Sequence, residues 1–217
     1  MSVSPASPMI VRGGFVLVQP DSGRVVRVIP FQYNPDTLSR TLQVQGIGQE
    51  AGDRLEALRL KGPPHESYKF DAEFDAADRL DQPERHPLEA QYGLQPVLAA
   101  LETSIYPASA DLLSEDGLAG SGMIEVFPVE APLMLLVLGK RRVLPVRITE
   151  LTVAEEAFDT ALNPIRAKVS VGVRVLTVDD VGFGHRGGAL YLRHHQQKEQ
   201  FAAMITHGAD AVGLNGI

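Results

Sequence analysis

Four groups of residues have the types and spacing to do chemistry. Asn34, Pro35 and Asp36 lie in FQYNPDTLSR (31–40), between two strand-like stretches. Pro35 biases Asn34 away from the α region, and Asp36 or Thr37 can accept hydrogen bonds from following amides, so the segment reads as a rigid corner. Asp71, Glu73 and Asp75 alternate along one strand face, and their oxygens would suit a hard cation such as calcium or magnesium. Solvation, or pairing with Lys and Arg of a neighbour, is the preferred reading of such a face. Gly182, Gly184 and Gly187 spell G-x-G-x-x-G after a strand and before a helix. The second parallel strand with its acidic residue, which a dinucleotide unit requires, does not follow, so a flexible hinge is expected there. His194 and His195 diverge by about 100° on a helix and cannot share a metal comfortably. His65, His86, His185 and His207 read as solvated surface residues. GSGM at 120–123 is a loop, not a nucleophile elbow. The expectation is a protein that is not an enzyme, with no catalytic residue, cofactor or metal.

The elements that must position these residues are mainly strands. MIVRGGFVLVQP, DSGR and VVRVIPFQYN read as strand, tight turn and strand, with Gly23 supplying the turn's backbone angle. RTLQVQG alternates, placing Leu42 and Val44 on one face of a half-exposed strand. Residues 47–65 read as an extended loop, with a short strand possible at ALRLKG. In SYKFDAEFDA, Tyr68, Phe70, Ala72 and Phe74 fall on one face and Lys69, Asp71, Glu73 and Asp75 on the other. LQPVLAALETSIY carries Leu94, Val97, Leu98, Leu101 and Ile105 at helical spacing, with Pro96 in its first turn, and should pack on the sheet. Residues 107–122 read as a loop. MIEVFPV, the stretch from Pro132 to Phe158 with a GKRR turn, and IRAKVSVGVRVLTV supply four or five more strands. ALYLRHHQQKEQFAAMITHG reads as a helix with a polar middle, marginal alone and expected to order only against a partner. The division expected is a disordered 1–8, one mainly β (α+β) domain over 9–178, and a hinge, helix and tail over 179–217.

Composition narrows the function classes. The 217 residues, 44% of them hydrophobic, suffice for one substantial core. The absence of cysteine removes disulfides, thiolate metal sites and cysteine nucleophiles. A net charge of −7 argues against a nucleic-acid partner, which would call for a basic stripe. The opening MSVSPASPMIVRGGF does not read as a signal peptide, and the longest apolar run, APLMLLVLG, is too short to span a bilayer, so no direct membrane insertion is expected.

FQYNPDTLSR resembles the opening of the tube and baseplate-adaptor proteins of contractile injection systems, which are phage-tail-like bacterial particles. In that family an alternating strand, a Leu-rich helix, a strand pair and a closing Asn-Pro segment follow. The alternating strand, the helix and the closing segment correspond here to YKFDAEFDA (68–76), LQPVLAALE (94–102) and FDTALNPIRAKVSVGVRVL (158–176). Order and approximate spacing agree over residues 10–178, whereas 179–217 is too short and too helical for the LysM module that many relatives carry. The resemblance implies a tail-tube or hub-like β-barrel or sandwich with one packed helix and a C-terminal helix. It implies a structural subunit joining the inner tube to the baseplate hub and spike, and a homo-oligomeric ring, hexameric in that family, contacting inner-tube and spike or hub proteins. Residence would be the bacterial cytoplasm during assembly and the injection particle thereafter. The alternatives are a tube cap or sheath-associated subunit of the same particle, or a metal- or ligand-binding β-barrel. On the assembly reading Asn34, Pro35, Asp36 and Arg40 sit at a subunit boundary. Arg40 would then pair with Asp71 and Glu73 of the same or a neighbouring subunit.

Overall fold

The structure is a computed structural model that describes residues 11–46, 59–120 and 130–206. Seven strands are described: β1 (Gly14–Val18), β2 (Val25–Pro30), β3 (Leu38–Gln43), β4 (His65–Asp75), β5 (Leu133–Val137), β6 (Val143–Phe158) and β7 (Pro164–Val175). They form one antiparallel sheet in the order β2-β1-β5-β6-β7-β4-β3, and the fold is mainly β. The alternation in the sequence sets its centre. Tyr68, Phe70 and Ala72 of β4 lie opposite Val173, Val171 and Val169 of β7, and all six are buried. Each large side chain of this set contributes roughly 1.5–3 kcal/mol by leaving water. Gly23, at φ +68°, makes the β1–β2 turn, and Gly139 to Arg142 turn β5 into β6, both where the sequence predicts.

The sheet curls strongly. β1 and β4 are four strands apart, which in a flat sheet is roughly 19 Å at the usual strand spacing. Yet the rings of Phe15 and Phe70 have centroids 6.2 Å apart. Phe31, just past β2, lies edge-on to both, at 5.5 Å from Phe15 and 5.4 Å from Phe70. Such edge-to-face contacts add to the burial of the rings themselves. The two outermost strands, β2 and β3, are consecutive in sequence and joined by residues 31–37 alone. The corner thus runs from one edge of the sheet to the other, and Phe31 fills the seam between them.

Six helices are described: α1 (Ala77–Leu80), α2 (Pro87–Tyr92), α3 (Gln95–Glu102), α4 (Ser109–Gly120), α5 (Val178–Val181) and α6 (Arg186–Ala202). α3 packs as its pattern predicts, with Leu98 and Leu101 buried in the main core beside Leu94, while Ile105 lies beyond its end and is exposed. α4 corrects the loop expected over 107–122. Its Ser, Asp and Gly content lowers helix propensity without forbidding a helix. Leu42, near the end of edge strand β3, and Val44, just past it, are exposed.

The C-terminal segment departs most from expectation. Instead of a flexible hinge, Thr177 and Asp180 form a reciprocal capping box at α5, and a Cβ on Gly188 would collide with the Gly182 carbonyl. The glycines permit a tight α5–α6 junction. α6 docks on its own domain: Tyr191 is buried in the main core, and Leu190 packs on a second cluster of Val18, Leu133 and Leu135. His185 is not simply solvated, because its Nδ1 accepts from the Gly187 amide and caps α6. The expected disorder of 1–8, the MIEVFPV strand, most of the loop before β4, His207 and the terminal tail lie outside the described residues. No described helix is long and apolar enough to cross a membrane.

Candidate functional site

The corner is held by two side-chain amides, each pairing with backbone groups of another strand region. Gln32 donates from Nε2 to the Asp75 carbonyl at 2.6 Å and accepts from the Asp75 amide at 2.9 Å. Asn34 accepts from the Gly13 amide at 2.8 Å and donates to the Val11 carbonyl at 2.9 Å. The first fastens the corner to the end of β4, and the second to the approach of β1. Among the described residues neither Asp36 nor Thr37 takes part in a side-chain hydrogen bond, so the locking role expected of them belongs to Gln32 and Asn34. Asn34 is therefore first a structural clamp on the seam.

Beyond the clamp, the corner walls a groove of about 580 Å³. Five of the six residues singled out in the sequence line it: Asn34, Pro35 and Asp36 from the corner, Asp71 and Glu73 from β4. Lys69 and Lys168 join them, with half-exposed Tyr33 at its wall. Asp71 is engaged, accepting from Lys168 at 2.9 Å and from Ser170 Oγ at 2.7 Å. The hydrogen bond from Lys168, followed by that from Ser170, holds its carboxyl below the usual range, and Lys168 is raised in return. Asp75 is lowered by the Ala77 amide and by Arg166, whose Nη2 lies 2.9 Å away. Lys69 meets Glu150 at 2.8 Å. Glu73 stands across the β4–β7 ladder from Lys168 but forms no ion pair among the described residues, and Asp36 forms none either.

Asp71 and Asp75 on this strand face are thus neutralised by Lys168 and Arg166 of β7, while Lys69 of β4 pairs with Glu150 of β6. Among the described residues no three His, Asp or Glu side chains gather in metal-binding geometry. The groove is polar and carries charges of both signs. Its walls are fixed strands and a clamped corner, with two carboxylates, Asp36 and Glu73, still available.

Arg40 lies elsewhere. In the β3–β4 register it is opposite Tyr68, on the inward face, whereas Asp71 and Glu73 point outward. A strand's period of two puts Arg40 and those carboxylates on opposite sides of the sheet, so the pairing expected within the chain is not formed. Its Nη1 sits 3.9 Å from Glu66 Oε1 instead. Glu66, only 2% exposed, accepts from Tyr68 Oη at 2.6 Å and from Lys198 Nζ of α6 at 2.7 Å. Burial alone would push the Glu66 carboxyl up, but the hydrogen bonds from Lys198 and Tyr68 hold it below the usual range. Burial and the Glu66 hydrogen bond push Tyr68 up to about 12. Sequence reasoning missed this cluster, because Lys198 lies 132 positions from Glu66 and a charged residue at a strand start reads as solvated.

No protein-family model matches the chain, and no curated protein sequence matches it either.

Proposed function

We propose that the chain is a structural subunit of a contractile injection system, joining the inner tube to the baseplate hub and spike as a member of a homo-oligomeric ring. The order of motifs over residues 10–178 suggests the particle. The observation that supports an assembly role is the groove itself. The segment carrying the resemblance, 31–40, converges there with the outer face of β4 on a rigid scaffold, and rigid surfaces lose little entropy on docking.

Asp36 and Glu73 are the residues to test, because among the described residues neither is tied into the seam or an ion pair. Arg40 is a poor probe, since reversing its charge would disturb buried Glu66. The double variant Asp36→Lys, Glu73→Lys should leave the purified subunit folded by circular dichroism while blocking its incorporation into particles, counted by negative-stain microscopy. Full-length contractile particles assembled from a normally folded double variant would refute the groove's role.

A further inference from the structure

We propose that His194 makes the docking of α6 sensitive to pH, so that protonation of its ring undocks the helix from the sheet. His194 lies on the side of α6 that faces the domain, one turn before Lys198. Both of its ring nitrogens are buried, and neither has a hydrogen-bond partner among the described residues. A neutral imidazole leaves one donor and one acceptor unpaired there, whereas an imidazolium would bring two unsatisfied donors and a charge into a desolvated site, at a larger cost.

The surrounding charges oppose that proton. Lys198 of α6, Arg142 of the β5–β6 turn and Arg40 of β3 all disfavour it, while Glu66 of β4 favours it but already accepts from Lys198 and Tyr68. Burial, then Lys198, places the ring's pKa below its ordinary value. A folded value below the unfolded one means that docking is fully stable above about pH 6.5 and weakens as pH falls through that value toward the folded pKa. Each unit of depression changes the docking equilibrium by up to about tenfold. Undocking would uncover Val18, Leu133 and Leu135, which Leu190 now covers. The device belongs to the single subunit and operates whether or not the chain assembles.

Hydrogen exchange on the full chain, corrected for the intrinsic pH dependence of exchange, tests this between about pH 7.5 and about pH 5. Protection of α6 amides should fall measurably while the β7 amides 169–173 stay protected. In His194→Phe, which keeps a ring and removes the proton, α6 protection should not change with pH. His185→Asn, which keeps a capping acceptor, should behave as wild type. Equal α6 protection at both pH values, parallel loss at β7, an unchanged pH response in His194→Phe, or its disappearance in His185→Asn would each overturn the proposal. Should His194→Phe fail to fold, an NMR titration of the wild-type ring decides: a pKa at or above the ordinary histidine value overturns the proposal, and one below it supports it.

Discussion

Corner 31–37 and helix α6 both fasten distant parts of one curled sheet, with different chemistry. The corner uses two neutral amides, Gln32 and Asn34, each satisfying one backbone N–H and one C=O. The helix uses a buried carboxylate, Glu66, held by Lys198 and Tyr68. Neutral amide clamps are indifferent to pH and salt, and removing one costs the hydrogen bonds it made. A buried ion pair behaves asymmetrically: its net worth is small, yet losing one partner strands the other charge. The corner should therefore fail gradually and under all conditions, while the helix should fail abruptly and under particular ones.

The largest effect is expected at Lys198. Lys198→Met leaves the Glu66 carboxylate buried with Tyr68 and with only Arg40, 3.9 Å away, as a cation, and should destabilise the fold by about 3 kcal/mol near neutral pH. Urea denaturation at several pH values sharpens the contrast with the corner. Because the folded pKa of Glu66 is depressed, its stabilising contribution is present above the ordinary glutamate value and lost as pH falls through the lowered one. The gap between wild type and Lys198→Met should close over that acidic window, since both then carry a protonated Glu66. A gap that stays constant through it would mean the pair contributes by packing alone.

Asn34→Ala comes next. It strips the buried Gly13 amide of its acceptor and the Val11 carbonyl of its donor, for an expected loss of about 1–2 kcal/mol. Unlike the Lys198 effect, this deficit should be the same across the pH range. The two sites share no partner, so their double mutant should be additive within about 0.5 kcal/mol. Marked non-additivity would show that corner and helix act as one unit.

The same contrast marks what was legible in the sequence. Strands β4 and β7 announce themselves because burial on one face imposes a period of two, as do the turns at Gly23 and GKRR. The corner was legible as a corner, since Pro35 restricts Asn34 locally. That it bridges the two sheet edges was not, because strand order depends on pairings between segments as far apart as β1 and β5. Asp36, Asp71 and Glu73 were legible as polar residues of a corner and a strand face, but that they share one groove was not, and Arg40 was misplaced by a single parity step that only the β3–β4 register supplies. The docking of α6 was invisible for a related reason. Its polar middle looks solvated until Glu66, itself a residue that reads as exposed, is brought against Lys198 by the fold.

The smallest effect is expected within the corner itself, where it separates clamp from contact surface. Asp36 is two residues from Asn34 on the same rigid segment, but it makes no ion pair or side-chain hydrogen bond among the described residues. Glu73 on neighbouring β4 is likewise exposed. Asp36→Ala and Glu73→Ala should each change stability by less than about 0.5 kcal/mol, the usual range for surface substitutions. The comparison with Asn34→Ala then isolates what the groove adds beyond the fold. Under the proposed assembly role, a corner that is only a seam would make particle yield track stability, falling for Asn34→Ala and unchanged for Asp36→Ala and Glu73→Ala. If the groove is a contact surface, the two carboxylate variants lower incorporation at wild-type melting temperature. Thermal melts alongside particle counts for the three variants distinguish these outcomes. A stability loss at Asp36 equal to that at Asn34 would instead make the whole corner structural and remove the distinction drawn between them.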